Sequence, residues 1–225
     1  MKIIDLNAID ESNSFFHFTN IGNLESIENK GLLPKKGENA FSLERTEKIF
    51  FSKGGIGTLE IIDAWIRWRI YKTIQAYYEA HNLSNCKEAF ITGKGYTKEI
   101  IEKTFIDFYN YISNCVYLKL DLKEHEDFAY DDIDEIKKYF KKDEMLKKMY
   151  GPYSNIDSPI MESWNMHTFT NRIISPDKLS IIELNENPNA LCIIKNLAEK
   201  YSCDNLYYLN EFLSFANEYD NKKSL

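Results

Sequence analysis

Residues 48–52 (KIFFS) are apolar at every central position, which a half-buried strand that alternates apolar and polar residues does not show. Such a strand must be covered on both faces. The chain therefore has to supply enough apolar material from elsewhere to bury a sheet twice. It can: among 225 residues, 44% are hydrophobic and 14% aromatic, against 28% charged. That is enough for a real core, and the composition is neither disordered nor low-complexity. Directly after the strand, KGGIG (53–57) breaks the extended run and opens a long helix from Thr58 to about His81. Its apolar positions Ile62, Trp65, Ile66, Ile70 and Tyr77 follow helical spacing.

The rest of the chain reads as strands near both ends with long helices inserted between them. Residues 15–18 form a strand. Asn20 caps a short helix with Ile21, Leu24 and Ile27 at every third position, and Gly31 stops it. A second clear helix follows Thr97, whose residue type suits the N-cap, and buries Ile101, Phe105, Phe108 and Ile112. CVYLKLDL (115–122) alternates as a strand. Two short helices are expected over 131–140 and 143–150, then a Gly/Pro loop over 151–159. MHTFTNRII is a weak strand, Ser175-Pro176 begins one helical turn, and 180–184 is another strand. Asn187-Pro188 caps a helix over 189–201, and a last helix runs over about 205–219. This order predicts an α+β fold, and no linker cuts the chain, so residues 1–225 are expected to form a single domain.

The net charge of −7 argues against a surface devoted to nucleic acid. The six lysines in KKYFKKDEMLKK (137–148) read as a solvated helix face, with a local basic patch as the alternative. Cys86, Cys115, Cys192 and Cys203 form no CxxC pair and suit free thiols in a reducing cytosol. The acidic N-terminus has no apolar segment of signal length, and no window reaches a membrane span, so a cytoplasmic protein is expected. There is no P-loop, no HExxH and no GxSxG. The histidines His17, His81, His125 and His167 are not spaced as a metal pair, and no metal is expected. His17 in FFHFTN and His167 in NMHTFTN share a setting, each closely followed by Thr and Phe. Alone, His17 reads more readily as a core histidine with a satisfied hydrogen bond than as a ligand residue.

A strand with His-x-Thr, a helix with N-L-x-x-I, then G-L-x-P, a loop and an aromatic strand resembles the ADP-ribosyltransferase-like superfamily. FHFTNIGNLESIENKGLLP is similar to its first block and KIFFSKGGIGTLEIIDAW to its second. The resemblance covers residue 15 to about 65. It implies a split mixed β-sheet with inserted long helices, and NAD bound as the substrate. His17 is then the residue that hydrogen-bonds the adenosine ribose, with Thr19 completing the His-x-Thr element. The main chain of Phe18 would hold the nicotinamide amide. Phe51 or Phe50 would stack on the nicotinamide ring, keeping the face of the family's usual tyrosine but not its hydroxyl. Ser52 matches the small hydroxyl that follows, and Arg45 would neutralise the pyrophosphate.

The third block departs from the family pattern, since no acid opens the late strand. Either Glu162, a few residues upstream, supplies the carboxylate that stabilises the oxocarbenium-like state, or His167, with Asn165, replaces it. The implied activity is transfer of ADP-ribose to an unknown protein, nucleic acid or small-molecule acceptor, as in a small bacterial toxin or effector. The alternatives are a non-catalytic nucleotide-binding module and a metal-independent nuclease or hydrolase using His17 and His167 as acid and base.

Overall fold

The computed structural model describes residues 1–34, 49–123, 127, 129–130, 168–201 and 203–223. Their contacts group into two compact units. One comprises the described residues within Met1–Ile61, Tyr111–Asp131 and Trp164–Ser202. The other comprises those within Ile62–Asn110, Asp132–Ser163 and Cys203–Leu225.

The first unit holds a seven-stranded sheet. Its strands are β1 (Lys2–Asp5), β2 (Phe15–Asn20), β3 (Ile49–Lys53), β4 (Cys115–Leu120), β5 (Ala129–Tyr130), β6 (Thr168–Thr170) and β7 (Leu179–Glu183), in the spatial order β1-β7-β4-β2-β3-β6-β5. Only β1 and β7 run parallel, so the sheet is mixed and the fold is α+β, as expected. β1 is not legible in the sequence. It is four residues long and exists through a parallel pairing with a segment at the far end of the chain, so local pattern carries no signal for it.

β3 buries Ile49 and Phe51 on one face and Ser52 on the other, where Phe50 is only partly covered. On one face Phe15 and Phe51 pack with Val116, Leu118, Leu120 and Leu179. Helix α1 (Leu24–Lys30) adds Ile27 to that layer, and Leu32 and Ile174 close it. The opposite face carries Phe16 and Phe18, each stacked on Tyr117.

Helix α2 (Gly54–Ala80) starts four residues earlier than its sequence pattern suggests. The glycines that read as a break form its first turn because that turn is packed too tightly for side chains. A Cβ on Gly55 would stand 2.6 Å from Tyr201 Cε2 and 3.0 Å from Glu11 Oε2. Glu11 is buried beside this helix start, where a carboxylate meets the partial positive charge of the first amides, and Lys200 pairs with it at 2.8 Å. Helix α3 (Cys86–Thr92) has no counterpart in the sequence reading, whereas α4 (Lys98–Ile112) begins directly after Thr97 as expected.

Helix α5 (Ala190–Lys200) corrects the expected cap. Asn189, not Asn187, accepts the helix amide, from Leu191 at 2.8 Å, and Pro188 lies before the helix rather than at its first position. Helix α6 (Tyr207–Lys223) completes the second unit, whose described regular elements are helices. There Ile62, Ile66, Ile70, Phe90, Phe105, Phe108, Leu209 and Phe212 are buried. The expected helices over 131–140 and 143–150 and the loop over 151–159 lie outside the described residues. Among the described residues no helix is long and apolar enough to cross a membrane.

Gly31 ends α1 at φ 79° and ψ 175°, a region that residues with a side chain avoid. A Cβ there would lie 2.5 Å from the carbonyl oxygen of Ile174, which also accepts the Leu32 amide at 2.8 Å. The obstacle is main chain and cannot rotate aside. Gly31→Ala is expected to lower unfolding free energy by about 1–3 kcal/mol, read from the urea midpoint. A change below about 0.5 kcal/mol, the range of ordinary surface substitutions, would refute this account of the α1 stop.

Candidate functional site

β2 and β3 pair only briefly. Their rungs are Phe15–Lys53 and Phe16–Ser52, after which the strands part. β2 continues alongside β4 as far as Asn20–Cys115, and β3 continues alongside β6 through Phe51–Thr168, Phe50–Phe169 and Ile49–Thr170. The sheet is therefore split just beyond Phe16, and His17 is the first residue on β2 past the last rung.

His17 bridges that split. Its Nδ1 lies 2.7 Å from the main-chain carbonyl of Phe50. A carbonyl oxygen only accepts, so Nδ1 carries the proton in this bond. Burial pushes the imidazole below its ordinary value of 6.5, opposed by the bond to Phe50, so the ring is neutral at pH 7. In a neutral ring with Nδ1–H, Nε2 is a bare acceptor. The tautomer is thus set by the fold: one nitrogen holds the two strands, and the other can receive a hydroxyl proton from a ligand.

Phe18 follows from the same register. The Gly54 amide donates to the Ser14 carbonyl at 2.9 Å, so even-numbered residues on this stretch direct their main chain toward β3. Phe18 is the first even-numbered residue beyond the rungs, and its amide and carbonyl face the split. Thr19 is buried and accepts from Asn23 Nδ2 at 3.3 Å. The first block thus places His17 and Phe18 at the opening and gives Thr19 to the local turn.

The second block divides differently from the expectation. Phe51 is 1% exposed and meets Phe15 edge to face at 5.5 Å, so its ring belongs to the core. Phe50, partly exposed on the opposite face of β3, is the aromatic with surface to offer. Ser52 is buried, donating to Phe16 O at 3.4 Å and meeting Thr58 Oγ1 at 2.8 Å. It ties the last rung together rather than lining an opening. Arg45, Glu162, Asn165 and His167 lie outside the described residues. β6 begins at Thr168, the residue after His167, so β2, β3 and β6 stand side by side with the second block in the middle.

Tyr117 and Thr58 carry no mark of importance in the sequence. Tyr117 is fully buried, with its hydroxyl 2.5 Å from Thr58 Oγ1. Burial pushes this phenol well above its ordinary range, partly offset by the Thr58 bond and reinforced by Glu11 and Tyr201 nearby. The only sequence signal is a tyrosine on the alternating strand CVYLKLDL, which is ordinary for a sheet.

Among the described residues no group of His, Cys, Asp and Glu could hold a metal ion. Compared with known protein families, curated proteins and solved structures, the chain matches none.

Proposed function

We propose that this chain binds NAD in the split between β2 and β3 and transfers its ADP-ribose to an acceptor, with release of nicotinamide. The observation that carries the proposal is the split itself, bridged by a neutral His17 whose Nε2 remains an acceptor. A ribose hydroxyl donates to such an atom. The main chain of Phe18 is assigned to the nicotinamide end of the ligand, as the resemblance implies. The ring of Phe50 takes the stacking role, since Phe51 is enclosed.

In the reaction, the bond between C1′ of the nicotinamide ribose and the ring nitrogen breaks. Its electron pair leaves on the nitrogen, which turns the cationic pyridinium into neutral nicotinamide. An acceptor oxygen or nitrogen then adds to C1′ and gives up its proton. Glu162 or His167 is assigned to stabilise the oxocarbenium-like state, Asn165 to assist, and Arg45 to meet the pyrophosphate. The sheet is read accordingly as one of the ADP-ribosyltransferase type.

A non-catalytic nucleotide-binding module is the second reading. It is favoured by one fact: among the described residues of the split, 17–20, 49–51 and 168–170, none is a carboxylate. Incubation of the full chain with NAD distinguishes the two. Transfer predicts binding by calorimetry together with free nicotinamide, lost in Glu162→Ala or His167→Ala. Binding without nicotinamide release supports the module. A chain that neither binds nor cleaves NAD overturns both.

A further inference from the structure

Two places in the second unit share one arrangement: a pair of tyrosine rings set steeply to each other, and a carboxylate accepting from one of their hydroxyls. At the first, the rings of Tyr109 and Tyr219 have centroids 5.0 Å apart at 67°, and Asp220 accepts from the Tyr109 hydroxyl. This one holds an ammonium. Lys223 Nζ lies 4.5 Å from the centroid of Tyr219 and 5.2 Å from that of Tyr109, both cation–π distances.

At the second, the rings of Tyr207 and Tyr208 have centroids 5.3 Å apart at 85°, and Glu211 accepts from the Tyr207 hydroxyl. The bond to Glu211, then burial, raises the Tyr207 phenol, so it stays a neutral donor. Tyr207 is 59% exposed, and Glu211 is exposed as well. The phenol of Tyr96 joins them, held above its ordinary range by burial and by the Glu211 charge. The loop that carries it is fixed, since Tyr78 donates to Gly95 O at 2.9 Å. Buried Arg67 lies over Tyr208 and is paired with Asp63, so the exposed ring of Tyr207 is the one available to an outside cation. Helix polarity works weakly against a cation here, because Tyr207 and Tyr208 stand on the first turn of α6. The Leu209 amide in that turn is already taken by Asp63 Oδ1, and Glu211 adds a full negative charge one turn on. The local charge therefore favours a cation.

We propose that Tyr207, Tyr208, Tyr96 and Glu211 form a docking point for the side-chain ammonium of a lysine on a partner protein. Tyr207 offers the cation–π face and Glu211 the counter-charge. Lys223 supplies the precedent within the same unit, and the net charge of −7 draws basic partners from a distance. This docking point is independent of the NAD chemistry.

NMR shifts of main-chain amides and tyrosine rings, with the full chain titrated by the blocked peptide acetyl-Gly-Lys-Gly-amide, test it. The same peptide with norleucine for lysine keeps the aliphatic chain and lacks the charge. The lysine peptide is expected to move the signals of Tyr96 and of residues 207–211 to saturation, and the norleucine peptide to leave them in place. Tyr207→Leu keeps apolar bulk and removes the π face, so it should weaken lysine binding about threefold or more. Tyr207→Phe keeps the face and should stay within about twofold of wild type. Glu211→Gln should weaken binding about threefold at low salt, and its difference from wild type should fade at high salt as the charge is screened. Both positions lie at the surface, so the variants keep the fold. Equal response to the two peptides, shifts confined to other parts of the chain, or unchanged affinity in either Tyr207→Leu or Glu211→Gln would overturn the proposal.

Discussion

Asp63→Ala is expected to cost about 3–5 kcal/mol of unfolding free energy, the largest stability effect of any single substitution considered for this chain. Asp63 and Arg67 are one turn apart on α2 and 0% and 1% exposed, and their side chains form an ion pair. The carboxylate also reaches a second partner, since its Oδ1 accepts the amide of Leu209, in the first turn of α6, at 2.9 Å. It therefore gives one amide in the first turn of α6 an acceptor. Arg67 in turn lies over the ring of Tyr208, 5.4 Å from its centroid, and burial helps push that phenol up to about 12. Burial also drives the Asp63 carboxyl upward, opposed first by Arg67 and then by the main chain of Leu209.

Removing the carboxylate strips Arg67 of this counter-charge and leaves the Leu209 amide without its acceptor, two losses in one interior. Asp63→Asn separates them, because its amide oxygen can still accept from Leu209. It should lose clearly less than Asp63→Ala. Pairing Asp63→Leu with Arg67→Met should recover much of the difference, since two apolar residues avoid burying any charge. Urea denaturation of the four proteins measures this. A loss below about 1 kcal/mol for Asp63→Ala would place the pair with surface ion pairs and refute its role.

Asp63 also illustrates what a sequence conceals. At four residues from Arg67 it has the spacing of a solvent-exposed helical ion pair, and the apolar stripe of α2 runs past it. Its burial comes from α6, which lies 146 residues further along the chain. The same reason explains β1, made by pairing with β7, and the early start of α2, where Tyr201 fills the space that a side chain at Gly55 would need. By contrast, features set by local chemistry are readable: β2, the α1 stop at Gly31, the α4 start after Thr97 and the strand within KIFFS.

The candidate site divides along the same line. That His17 stands on a strand beside an aromatic strand is a local property of two short motifs. That β3 turns Phe51 inward and Phe50 outward depends on register, and a shift of one residue exchanges the two. Sequence leaves that choice open. Tyr117 is invisible there because its importance comes from the two rings that close on it, and both belong to another strand.

His17→Asn and His17→Ala should give different answers, and the difference isolates the ligand role of this histidine from its structural one. An asparagine amide nitrogen occupies nearly the place of Nδ1 and can still donate to the Phe50 carbonyl, but nothing replaces Nε2. Alanine removes both. His17→Ala should therefore lose about 1–3 kcal/mol of stability through the unsatisfied carbonyl, whereas His17→Asn should recover most of it. For NAD, both variants should weaken binding by about tenfold or more, because both lack the acceptor for the ribose hydroxyl. The pH dependence provides an independent check on the neutral ring. The folded imidazole lies below 6.5, so between that lowered value and 6.5 the unfolded chain binds more protons than the folded one. This part of the stability is complete above 6.5 and falls as pH drops through the window. Wild type should show it relative to His17→Asn in urea midpoints measured across that range. If His17→Asn binds NAD as well as wild type does, His17 is only a strap between two strands, and the nucleotide must be held by other residues.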